Sequence, residues 1–144
     1  MEVLVSEVNL NPVKSMRMQP GVEELRIDAE GLFGDRHYMV VEANEYTHKL
    51  YKPGTVAEPG RFLSQREDLA MTSLTPVPRN KGIHIEWTQG GYKDGLYIPR
   101  VEDVNANRIP VSVWKWQGKA VDQGDHAADF VSEVIGRAVR FVEL

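Results

Sequence analysis

The chain has 144 residues, a net charge of −4 and no cysteine, a size that suits one domain whose core needs no metal or disulfide staple. Missing thiols exclude disulfide scaffolds, thiolate zinc sites, iron–sulfur clusters and a cysteine nucleophile. Seventeen basic against 21 acidic side chains leave no basic stripe for a nucleic-acid backbone, and no apolar run approaches the roughly 18 residues of a membrane span. Glu2 stands where a signal peptide carries its basic region. The expectation is a cytoplasmic protein with neither a nucleic-acid nor a membrane partner.

In chain order, the first predicted strand covers residues 3–10, with Leu4, Val8 and Leu10 sharing a face with Ser6. A proline corner, Asn11-Pro12-Val13-Lys14-Ser15, follows it. The second strand places Leu25, Ile27 and Ala29 inward and Glu24, Arg26 and Asp28 outward. His37-Tyr38-Met39-Val40-Val41 is almost continuously apolar, as in a strand covered on both faces. The polar, proline-bearing stretch from Glu42 to Gly60 reads as an extended hairpin or mobile loop. Phe62 to Glu67 forms a short strand ended by Arg66, and Ile83, Ile85 and Trp87 alternate with His84, Glu86 and Thr88. Ile109, Val111 and Val113 alternate around Pro110, which marks an edge or a strand start.

Between Asp125 and Ile135 the period changes. Ala127, Phe130, Val131, Val134 and Ile135 fall on one helical stripe. Asp122 or Asp125 is placed to cap the N-terminus, and Gly136 stands at the left-handed C-terminal position. Val139 and Phe141 then alternate with Arg140 and Val142 in a last strand. The fold expected is mainly β over one domain, 1–144, a sandwich or barrel-like antiparallel sheet with one short C-terminal amphipathic helix.

Three strand-adjacent places carry chemistry. Pro12 fixes its own φ and pushes Asn11 out of helical space, so Lys14 and Ser15 project from a rigid turn. Gly34-Asp35-Arg36 enters the buried strand, and Arg66 closes the third place. An arginine presents a planar fork to phosphate or carboxylate, and a lysine presents a point charge. Lys14, Arg36 and Arg66 together suit a phosphorylated small molecule; the plainer reading leaves Asp35 pairing with its neighbours and the arginines solvated.

Taken in order, Leu10-Asn11-Pro12-Val13-Lys14-Ser15, Gly31-Leu32, Asp35-Arg36-His37-Tyr38-Met39-Val40-Val41, Phe62-Leu63-Ser64-Gln65-Arg66, Val121-Asp122-Gln123-Gly124-Asp125-His126 and Ile135-Gly136-Arg137-Ala138-Val139 resemble one family along essentially the whole chain. It is the N-terminal β-barrel domain that precedes the MOSC domain, the C-terminal module of molybdenum cofactor sulfurases. The same pair of domains forms the molybdenum-dependent amidoxime-reducing enzymes and their bacterial relatives. The resemblance implies a barrel half packed on a MOSC half, in cis or in trans, with molybdopterin in the cleft between them. It assigns Lys14, Ser15 and Arg36 to the pterin and its phosphate, with Arg66 as a supporting cation. The family's molybdenum ligand is a cysteine of the MOSC half, so this chain is expected to cradle the cofactor's phosphate without turning over substrate alone. It is then either a fragment of a longer protein or a stand-alone relative that needs a separate MOSC subunit. Residues 45–60 read as an insertion that covers the cofactor face or makes a new contact.

The alternative is a non-catalytic binding module that has kept the barrel and lost the cofactor, its inter-half surface serving self-association or another protein. Elsewhere the signals are weaker. His37, His48, His84 and His126 show no paired-ligand spacing. Trp87, Trp114 and Trp116 suit either a ring ligand or the barrel core and rim. No nucleophile elbow, phosphate-binding glycine loop or dinucleotide fingerprint occurs.

Overall fold

The computed structural model describes residues 9–18, 26–29, 31–32, 35–43, 59–102 and 106–144. The expected first strand up to Val8 and residues 45–58 of the expected insertion lie outside them. Two short strands, β1 (Ile27–Asp28) and β2 (Gly31–Leu32), pair antiparallel. Ile27 does not face a core as its alternation suggests. It is 75% exposed, because a two-residue hairpin has no sheet face to bury it.

The main sheet contains β3 (Tyr38–Glu42), β4 (Gly60–Arg61), β8 (Arg108–Val113), β9 (Trp116–Asp122) and β10 (Val139–Glu143). Its order is β3-β10-β9-β8-β4, antiparallel except for the parallel β4–β8 pair. Just past β4 the chain returns to the opposite edge: Phe62 bridges Val41, and the Leu63 N–H donates to the Val40 carbonyl at 2.9 Å. The sheet therefore curls until its edges meet at one bridge, which gives a barrel-like shape without a complete closing ladder.

That curl explains why β3 and β10 are covered on both sides. Met39, Val41, Phe62, Ile109, Val111, Ala120 and Val142 pack on one face. Tyr38, Val40, Val139 and Phe141 pack on the other, with Ile83, Ile85, Ile98 and the helix. The alternation expected at 139–142 holds, with Val139 and Phe141 in one cluster and Val142 in the other, and both faces of β10 are buried. Each fully buried aliphatic or aromatic side chain here contributes about 1.5–3 kcal/mol.

The second sheet is β5 (Leu74–Arg79), β6 (Gly82–Gln89) and β7 (Tyr92–Pro99), in that order and antiparallel. β5 carries Pro76 and Pro78 and lies at an edge, where a missing N–H leaves no gap in a ladder. A 3-10 turn, Leu69–Ser73, leads into it, and the Asp68 carboxylate accepts from the Ala70 N–H at 3.1 Å.

The helix α1 spans Asp125–Ile135, as the periodicity predicts, and rests on β10. Gly136 closes it at φ 79°, its N–H donating to the Ser132 carbonyl. The expected aspartate caps are not used as such. Gly124 occupies the N-cap with no side-chain bond, while Asp122 accepts from the Gly124 N–H at 3.0 Å. The other Asp122 oxygen and Asp125 take the guanidinium of Arg140, which is 6% exposed. A buried cation needs partners more than a helix end needs a cap. No described helix is long and apolar enough to cross a membrane.

Candidate functional site

The proline corner is built by being zipped onto the start of β3. Tyr38 N–H donates to the Pro12 carbonyl at 3.2 Å and Lys14 N–H to the Tyr38 carbonyl at 3.0 Å, forming a parallel bridge between Val13 and Tyr38. The Arg36 N–H donates to the Asn11 carbonyl at 2.8 Å, and the Asp35 carboxylate accepts from the Asn11 N–H at 3.0 Å. Asp35 therefore does two things: it fastens the corner, and it lies 3.7 Å from the Arg36 Nε. That ion pair is long and exposed, so it leaves the guanidinium mostly available.

One edge of β3 is consequently shared by two segments, the corner at its start and Phe62-Leu63 at its end. Between them opens a groove of about 960 Å³. Lys14, Ser15, Arg36 and Arg66 all line it, together with Arg17, Ser64, Thr72, Ser73, Thr88 and Trp114. No carboxylate occurs among its described lining residues, although the chain as a whole is acidic. Four cations in one concave, hydroxyl-lined site favour an anion, and a phosphate above others, because its oxygens accept several charge-assisted hydrogen bonds.

The Lys14 ammonium is held between two ring faces, 4.5 Å from the centroids of both Phe62 and Trp114. Such contacts contribute about 0.5–1 kcal/mol each near a surface, and they orient the amine. Burial, and next the Arg36 charge, hold the Lys14 pKa below the ordinary lysine value. Two like charges that raise each other's energy are relieved when an anion arrives between them.

Backbone strain collects at the same place. Ser15 (φ 67°), Arg36 (φ 55°) and Trp114 (φ 52°) are the non-glycine residues with left-handed backbone among those described. All three line the groove. Left-handed conformations cost non-glycine residues about 1–2 kcal/mol each. Trp114 is the least expected of them. Val113 pairs with Trp116 to close a two-residue hairpin loop, and Trp114 takes its first position, where glycine is favoured.

Several sequence readings change. Arg66 does not end a strand; it sits in the turn Gln65–Glu67 beyond the Phe62 bridge. That turn is pinned because Glu67 accepts from the Ser64 N–H at 3.3 Å and pairs with Arg61. Arg17 is a lining residue that sequence reasoning misses. Its one sequence signal is a second cation three positions after Lys14, and what brings it in is its N–H donating to the Leu74 carbonyl at 3.0 Å. Trp87 packs on the core against Tyr92, their ring centroids 5.2 Å apart. Trp114 and Trp116 are rim residues, 86% and 51% exposed. Asp122 and Asp125 are both engaged by Arg140. Among the described residues, no cluster of side chains is arranged to hold a metal ion.

Comparison with known proteins places this geometry. No curated protein matches the chain significantly. Among solved structures, the chain is similar to the solution structure of a protein of Bordetella bronchiseptica, a structural genomics target. The two are 19% identical, the match covers 79% of this chain and 81% of that one, and the TM-score is 0.54. This likeness supports the fold. The family described as the MOSC N-terminal beta barrel domain matches residues 2–138, and the chain belongs to that family.

Proposed function

We propose that the groove binds the phosphate of molybdopterin, making this chain the cofactor-cradling accessory half of a MOSC-type molybdenum protein. One observation carries the reading: Lys14 and Arg17, Arg36, and Arg66, from three segments of an acidic chain, line one groove with no described carboxylate among its lining residues. Lys14 and Arg36 supply charge from the two sides of the zipped corner, Arg66 adds a cation from the opposite turn, and Ser15 adds a hydroxyl.

The phosphate end of the cofactor fits this donor set. The metal end finds no partner here, since the chain has no cysteine thiolate. When bound, molybdenum supplies oxygen- or sulfur-transfer chemistry; this chain's residues hold and orient the charged tail, and a MOSC domain grips the metal. A second feature favours such a partner. Val113, Trp114, Trp116 and Leu144 line an apolar depression of about 420 Å³ that shares Lys14 and Trp114 with the groove. Two exposed indoles beside a ligand site suit burial against another domain better than water. Self-association through this patch is the other reading.

Titrating the chain with molybdopterin tests the proposal. Each charge-assisted hydrogen bond contributes about 1.5–3 kcal/mol, so a Lys14→Ala/Arg36→Ala double variant should bind at least about tenfold more weakly. Equal binding by both proteins would overturn the assignment.

A further inference from the structure

Among the described residues, Lys14 is the lysine that lines the cationic groove. Its amine is fixed between the Phe62 and Trp114 rings, with Arg17, Arg36 and Arg66 lining the same space. A phosphate gathered by those arginines therefore lies beside a positioned primary amine. The ring faces favour the charged amine, but burial and the Arg36 charge act in the opposite direction and favour the free base. A desolvated lysine beside another cation is a recognised route to a nucleophilic amine. Lys81, Lys93, Lys115 and Lys119 are all exposed, and none of them lines the groove.

We propose that Lys14 is a modification site, acylated by acyl phosphates that the groove captures through their phosphate. The inference rests on the anion-binding reading of the groove. In the step, the lone pair of the free-base Lys14 Nζ attacks the carbonyl carbon and a C–N amide bond forms. The C–O bond to phosphate breaks, its electron pair leaves with inorganic phosphate, and the amine proton passes to that phosphate or to water. No oxidant or reductant takes part. The arginines neutralise the charge that grows on the departing phosphate. The product amide is neutral, so acylation removes one cation from the groove and the ammonium from between the two rings. The site thereby loses affinity for its anion, and acyl phosphate acts as a chemical off-switch.

The test incubates the intact chain with acetyl phosphate and quantifies acetylation at each lysine by peptide mass spectrometry. A parallel reaction uses acetic anhydride, which carries no phosphate, and inorganic phosphate binding is measured separately by NMR titration. With acetyl phosphate, Lys14 should react at least about tenfold faster than the mean of Lys81, Lys93, Lys115 and Lys119. Excess inorganic phosphate or Arg36→Ala should erase that preference, and acetic anhydride should not reproduce it. If phosphate binds the groove but Lys14 reacts no faster than the exposed lysines, the inference falls and the anion site stands. A preference for Lys14 that is equal with acetic anhydride also overturns it, because phosphate capture would then play no part. If inorganic phosphate does not bind the groove, the reading beneath the inference falls with it.

Discussion

Asp35 shows how a single carboxylate sets the site. It accepts the Asn11 N–H at 3.0 Å while its other oxygen faces Arg36, so one residue joins two chain segments and tempers a cation. Asp35→Ala leaves a partly buried N–H without its acceptor and should cost about 1–3 kcal/mol, read as a lower denaturant midpoint with an unchanged slope. Trp114 poses the reverse case, a bulky residue at φ 52°. Trp114→Gly should relieve strain, stabilising the hairpin by about 1 kcal/mol, yet weaken phosphate binding because Lys14 loses one of its two rings. A variant that gains stability and keeps full affinity would show that the tryptophan does not orient the lysine.

The elements around the groove are held by ion pairs whose acid sensitivity can be read. Glu42, on β3, accepts from Arg61 Nε at 3.1 Å and also pairs with Arg137, which follows α1. The Arg61 hydrogen bond is the largest cause holding the Glu42 carboxyl below its ordinary value. A carboxylate depressed in the folded state adds stability above its unfolded pKa and loses it as pH falls through the folded one. Stability should therefore decline on acidification below about pH 4.5, and Glu42→Gln should flatten that acid limb in denaturation curves measured across pH. At this scale the sequence is legible where a pattern is strong. The bounds of α1 and the doubly buried β3 follow from apolar spacing. β5, β7 and β9 do not. Pro76 and Pro78 mask the first, β7 buries little beyond Ile98, and Gly118 in β9 resembles a turn until the Trp116 ring is seen lying over it.

Across the whole molecule, charge is sorted. Acidic groups pair with arginines, as Asp122 and Asp125 do with Arg140, while no carboxylate stands among the described residues that line the groove and Asp35 meets Arg36 only at 3.7 Å. Removing Asp122 leaves the buried Arg140 with the exposed Asp125 as its carboxylate and the Gly124 N–H without its acceptor, so Asp122→Ala should destabilise the protein by about 1–3 kcal/mol, measurable by thermal or chemical unfolding. Motif order suggests the convergence of Lys14, Ser15, Arg36 and Arg66. Arg17 and the curl that brings Phe62 back to Val41 depend on long-range pairing, which no local pattern encodes. A residue-resolved NMR titration with inorganic phosphate examines the central claim most directly. Amide and indole signals of Ser15, Arg17, Arg36, Arg66 and Trp114 should move together along one saturable curve, and Lys14→Ala/Arg36→Ala should abolish the movement. Shifts confined to the separate pocket lined by Arg79 and Arg100, or a curve unchanged in the double variant, would contradict the anion site.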